Sequence, residues 1–170
     1  MKLSTRTRYG LRALLDIAAH SSGSPVQLKE IAERQEVSLS YLEHIVGPLM
    51  AGGILRSTRG MFGGVSLLKE PRDILLWDVV NLLEGSVAAV DCVPYPHICP
   101  RAETCATRRL WSELTEAMRS VLATRTLADL MRSDDGTADG SCAVAAVRPL
   151  SERSKVVGAS GRVAGRDAAG

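Results

Sequence analysis

The chain has 170 residues, with 21 Lys and Arg against 19 Asp and Glu, a formal net charge of +2. Apolar residues make up 45% and aromatic residues only 4%, which argues against a single-strand nucleic-acid binder built on stacking platforms. No apolar run approaches the ~18 residues of a membrane span, and the start has no signal-like apolar stretch, so a soluble, cytoplasmic protein is expected.

The charge is unevenly spread. Residues 1–69 are net +4, residues 70–133 net −2, and residues 134–170 neutral. A basic N-terminal third beside an acidic middle suggests contact with phosphate.

In chain order, a helix is expected over 7–20, with Leu11, Leu14, Leu15 and Ala18 in one apolar stripe. Ser21-Ser22-Gly23-Ser24-Pro25 breaks it, and a short helix follows over 28–35. After the turn at Glu36-Val37-Ser38, a third helix runs to about Met50. Its N-cap is either Ser40, through a Ser-x-x-Glu capping box with Glu43, or Ser38. Leu42, Ile45, Val46 and Leu49 form its buried face, and Pro48 lies inside it.

Ile54–Ser57 and Val65–Leu68 read as the strands of a hairpin around the turn Thr58-Arg59-Gly60-Met61-Phe62-Gly63-Gly64. A short helix, a tight turn, a third helix and a hairpin make a winged helix-turn-helix, whose second helix of the pair enters the major groove. The fold class is therefore mainly α with a small β-wing, followed by a long dimerisation helix. A linker leads to a helix from about Leu76, with Trp77, Val80 and Leu83 on its apolar side, stopped by Gly85. The long helix spans 106–123, with Leu110, Trp111, Leu114, Ala117, Met118, Val121 and Leu122 at helical spacing. That stripe is read as a homodimer interface. Thr126–Leu130 looks like a short capped helix.

The expected organisation is a DNA-binding domain over 1–69, a linker helix, cysteine loop and dimerisation helix over 70–133, and a disordered tail over 134–170. The tail holds six glycines, eight alanines and no aromatic residue.

Cys92, Cys99 and Cys105 lie in one loop, with six and five residues between them, while Cys142 sits alone in the tail. Structural disulfides are unexpected in the cytoplasm. Three thiolates within reach of one point suit a metal or an iron–sulfur cluster, and three unligated thiols acting as a redox switch are the alternative. An enzyme is not expected: no P-loop, Ser-His-Asp order or paired carboxylates are visible.

Several stretches resemble one family in the right order over about residues 1–131. They are Met1-Lys2-Leu3-Ser4-Thr5 with Arg8-Tyr9-Gly10, Ile31-Ala32-Glu33-Arg34-Gln35, and Ser38-Leu39-Ser40-Tyr41-Leu42-Glu43. Arg59-Gly60-x-x-Gly63-Gly64, Val80-x-x-Leu83-Glu84-Gly85 and Leu110-Trp111 complete the set. Together they resemble the Rrf-two (Rrf2) family of bacterial transcription regulators, with its IscR, NsrR and CymR types.

The resemblance implies a homodimer that binds a palindromic double-stranded operator, with repression the expected outcome. It places Ser38, Ser40, Tyr41, Glu43 and His44 at the major groove, Arg59 in the minor groove, and Arg6 and Arg8 on phosphates. It also implies a 2Fe–2S or 4Fe–4S cluster on Cys92, Cys99 and Cys105, sensing redox, nitric oxide or iron–sulfur status. The IscR type has a histidine three residues past the last cysteine; here that residue is Arg108, which stays protonated and cannot ligate iron. The NsrR type uses an N-terminal acid of the partner; here Arg8 stands in that region, with no acid before Asp16. His97 is the candidate fourth ligand, with Asp91, Glu103 or a small exogenous ligand as the others. The alternatives are a cluster-free thiol or cysteine-metabolism regulator of the CymR type, or a metal-binding interaction protein.

Overall fold

A computed structural model describes residues 3–134 except Ser22 and Met61, with side chains as far as Arg132. The expected disordered tail and Cys142 lie outside the described residues.

Helix α1 spans Thr5–His20, two residues earlier than the apolar pattern suggests. The cause is Ser4, an extended N-cap whose Oγ accepts from the Thr7 backbone N–H at 3.2 Å. The inner stripe is also rotated from the expected one. Gly10, Ala13, Leu14 and Ile17 are buried, while Leu11, Leu15 and Ala18 pack partly buried at the rim. Helix α2 spans Leu28–Arg34 and helix α3 spans Leu39–Ala51. The turn between them passes through Glu36 at φ 55°. Ser38 is the α3 N-cap, accepting from the Tyr41 N–H at 3.2 Å, so the rival capping box at Ser40 does not form. The expected buried face of α3, Leu42, Ile45, Val46 and Leu49, is fully inside.

Strands β1 (Leu55–Thr58) and β2 (Gly64–Leu67) pair antiparallel, with Leu55 opposite Leu67 and Thr58 opposite Gly64. Each lies one residue from its expected place. Val26, just before α2, adds a bridge to Val65 and ties the wing to the helices.

Helix α4 (Leu76–Glu84) buries Leu76, Val79, Val80 and Leu83, and leaves Trp77 half-buried. It packs across α1 and α3. Gly10 permits the crossing: a Cβ there would lie 2.4 Å from Leu83 Cδ1. Helix α5 spans Ala106–Ala123, as the periodicity predicts, and buries no residue fully. Its apolar stripe divides in two. Trp111, Met118 and Leu122 are half-buried, on the helix that packs against α4, and Arg119 lies 5.7 Å over the Trp77 ring. Leu110, Leu114 and Val121 remain 56%, 39% and 46% exposed. The chain returns to the body through a bridge between Leu75 and Thr126, and Leu127 of helix α6 (Leu127–Asp134) is fully buried. Thr126 and Asp129 cap α6 reciprocally, each accepting the other's backbone N–H.

Candidate DNA interface and cysteine loop

One network fixes the helix-turn-helix. Asp16 on α1 is 7% exposed, and both its oxygens accept from Arg34 on α2, at 2.6 to 3.1 Å. Gln35 donates to the same carboxylate at 2.9 Å. Burial pushes the Asp16 pKa up, but the hydrogen bonds from Arg34 and Gln35 and the nearby positive charge outweigh it and hold the carboxyl below 3.8. The network sets α2, and therefore the turn into α3.

The face this presents is polar and open. Ser38, Ser40, Glu43 and His44 are all exposed. The His44 Nδ1 lies 2.7 Å from the Ser40 carbonyl, which can only accept. Nδ1 therefore carries the hydrogen, and in the neutral ring Nε2 is left as an outward acceptor. Between α3 and the wing runs a groove of about 370 Å³ lined by Leu39, Glu43, Met50, Ser57, Thr58 and Gly60 among others. Arg59 is exposed at the far end of β1.

Three further expected contact residues also have protein partners. Tyr41 is half-buried, its ring packs edge-on to Tyr9 at 6.0 Å, and its hydroxyl lies 3.2 Å from Thr5 Oγ1. It joins α3 to the start of α1. Arg6 donates from Nε to the Leu83 carbonyl at 2.8 Å, and from Nη2 to the same oxygen. Those bonds satisfy a carbonyl that the end of α4 leaves open. Arg8 is exposed, with its guanidinium 5.3 Å from the Tyr9 ring centre.

The cysteine loop leaves the body at Gly85 (φ 80°) and re-enters structure at α5. Val87 and Ala102 anchor it, at 7% and 5% exposure. Arg108 is a second fastening. From the first turn of α5 it donates to the Cys92 carbonyl at 2.8 Å and to the Ala102 carbonyl at 3.4 Å. Sequence reading sees in Arg108 a residue unable to ligate and a positive charge near Cys105; the carbonyls it binds carry no sequence signal.

Cys92, Cys99 and Cys105 are free and partly exposed. The Cys105 thiol lies 3.1 Å from the Thr107 hydroxyl, and that hydrogen bond, helped by the Arg108 backbone N–H and by Arg101, holds its pKa below 9.0. His97 is exposed, its ring 6.2 Å from Tyr95. Among the described residues no three His, Cys, Asp or Glu side chains converge on a point that would hold a metal. In this arrangement the donor set does not fit a cluster. No helix of the described residues is long and apolar enough to cross a membrane.

Comparison with known proteins fits this geometry. Residues 3–133 match the family model Rrf2, described as an iron-dependent transcriptional regulator. "Protein rrf2" of Nitratidesulfovibrio vulgaris is 48% identical over 132 residues, covering 78% of this chain and 88% of that protein. The HTH-type transcriptional regulator IscR of Vibrio atlanticus is 39% identical, covering 79% of this chain and 78% of the relative. Among solved structures, CymR, the global cysteine regulator of Bacillus subtilis, aligns with a TM-score of 0.64 at 34% identity, over 78% of this chain and 98% of that one.

Proposed function

The chain belongs to the Rrf2 family of DNA-binding transcriptional regulators, and from that premise we propose that it is a cytoplasmic, homodimeric repressor whose three-cysteine loop is its sensing element. The observation that carries the reading is the open face of α3 beside the wing. Ser40, Glu43 and His44 lie in solvent at the N-terminal half of α3, the part of a recognition helix that meets base edges.

Glu43 is suited to accept from cytosine N4, and His44 Nε2 to accept from an exocyclic amine. Ser38 and Ser40 bond bases or phosphates. Arg59 suits the electronegative minor groove and Arg8 a phosphate. Tyr41 and Arg6 act chiefly by positioning: Tyr41 sets α3 on α1, and Arg6 holds the end of α4. The exposed Leu110, Leu114 and Val121 supply the face on which two copies of α5 pair. That pairing sets two recognition helices on half-sites of a palindromic operator about one helical turn apart.

For the sensing loop, our first reading is an iron–sulfur cluster, 2Fe–2S or 4Fe–4S, with Cys92, Cys99 and Cys105 as ligands and His97 as the candidate fourth. The family's iron-dependent description supports it. When bound, such a cluster supplies redox, nitric-oxide or iron lability. It requires a loop arrangement other than the one described, because these donors do not converge. The second reading is a cluster-free thiol regulator, favoured by that same lack of convergence and by the lowered Cys105 pKa.

One experiment separates the two. The full chain is purified without oxygen, its visible spectrum recorded, and iron and sulfide counted per chain. Operator binding is then measured before and after oxidant. Iron and sulfide that vanish in Cys92→Ala, Cys99→Ala and Cys105→Ala support the cluster. A colourless, iron-free protein whose operator binding still responds to oxidant supports the thiol reading. No selective binding to any duplex would defeat both.

A further inference from the structure

The tip of the wing carries an aromatic ring that nothing in the described protein covers. Phe62 is the chain's only phenylalanine. At 82% it is more exposed than any other large hydrophobic residue described. Burying such a side chain is favourable, and the free protein forgoes that gain.

The turn that presents it is tightly built. The Gly63 N–H donates to the Gly60 carbonyl at 2.9 Å, closing the turn with Phe62 at its third position. Gly60 has φ 112°, and a Cβ on Gly63 would lie 2.3 Å from the Thr58 carbonyl oxygen. Only glycines allow this shape at those two places. Arg59 sits directly before it, exposed, and makes no side-chain hydrogen bond or ion pair among the described residues. A free cation and an uncovered ring therefore share one tip, beside the groove that faces α3.

We propose that Phe62 is a minor-groove wedge. With Arg59 drawn into the electronegative minor groove, the ring enters at a base step, partly unstacks it, and bends the duplex toward the major groove. Apolar side chains act in this way in minor-groove binders, and pyrimidine–purine steps yield most easily. The proposal rests on the reading of the wing as duplex-facing. It adds a contact that reads deformability rather than hydrogen-bond pattern.

The test uses the full chain and a duplex selected from a random library. 2-Aminopurine is placed at successive steps flanking the α3 contact, and end-to-end energy transfer reports bending. Wild type should brighten the probe at one step per half-site and shorten the end-to-end distance. Phe62→Ala should lose both signals and bind about tenfold more weakly, within the range of one lost base–aromatic contact. Its salt dependence should not change, because no charge is removed. Phe62→Leu should keep part of the bend. Arg59→Ala should lower the slope of log affinity against log salt by about 1. If Arg59→Ala weakens binding while Phe62→Ala binds and bends like wild type, the wedge is wrong and the wing reading stands. If neither change affects binding, the wing is off the duplex and both fall. If Phe62→Ala alters only self-association or vesicle binding, the ring serves a protein or lipid surface and the wedge is again overturned.

Discussion

Replacing Asp16 by Ala tests whether the recognition helix is positioned by a buried ion pair. Asp16 has a side chain only 4% exposed and accepts three hydrogen bonds from Arg34 and one from Gln35. Breaking a buried pair typically costs about 3–5 kcal/mol, because the partner's charge is left uncompensated. Arg34, however, is 33% exposed and lies 3.8 Å from Glu30, so it can turn to that carboxylate or to water. The expected cost is therefore smaller, about 2–3 kcal/mol. For a folded body of about 130 residues this lowers the melting temperature by about 9 °C. Asp16 titrates below its ordinary value in the folded state, so its contribution is present above pH 3.8 and is lost as pH falls through the depressed folded pKa. Glu84 and Asp129 are depressed in the same direction, so the acid loss attributable to Asp16 is the difference between wild type and Asp16→Ala. Thermal melts from pH 3 to 7 should show the two curves converging at the acid end. Arg34→Ala should cost at least as much at neutral pH, and the double variant should cost less than the sum. A shift in melting temperature below about 3 °C, or simple additivity of the pair, would refute the reasoning.

Gly10→Ala places a methyl against Leu83 and should destabilise by about 1–3 kcal/mol, read by denaturant unfolding. Ser38→Ala removes the α3 N-cap and should cost about 1 kcal/mol in the same assay, with weaker operator binding besides. Leu114→Glu puts a charge on the exposed apolar face of α5 and should give monomers by light scattering, with helical content unchanged.

The legible parts of the fold are those written in local periodicity. The bounds of α5 and the inner face of α3 follow from apolar residues three and four apart, and the wing from a glycine-rich turn between two short strands. The start of α1 was displaced because Ser4 caps it from outside the apolar pattern. Its stripe was rotated because Gly10, which has no apolar side chain to signal burial, sits at the crossing with α4. The Asp16–Arg34 pair is silent in sequence, since charges 18 residues apart meet only after α1 and α2 have packed. The cysteine loop is silent for a different reason. Its three thiols are evident, but a proline-rich segment without periodicity gives no register from which their mutual distance follows. The latch of Arg108 onto two backbone carbonyls is invisible for the same reason. Phe62 was visible as a residue but not as an exposed one.

The remaining question is how a change in the loop would reach the DNA-facing surface, and the contacts at the end of α4 suggest a route. The Ser4 N–H donates to Glu84 Oε1 at 2.7 Å, and Arg6 holds the carbonyl of Leu83. The loop begins one residue after Glu84. The first turn of α1 is thus fastened to the point from which the loop departs, and Thr5 and Tyr9 in that stretch meet Tyr41 of α3. At the other end, Arg108 ties the loop to α5. A loop freed from Arg108 would move against an anchor shared with the recognition helix. Arg108→Ala should therefore change operator affinity, although Arg108 lies outside the expected contact face. In an Arg6→Ala background, where the anchor is weakened, the same change should have a much smaller effect. The coupling is read as a double-mutant cycle on one operator at fixed salt, expected at about 1 kcal/mol or more. Effects that add within about 0.5 kcal/mol would mean that the loop acts instead through the spacing of the two subunits along α5.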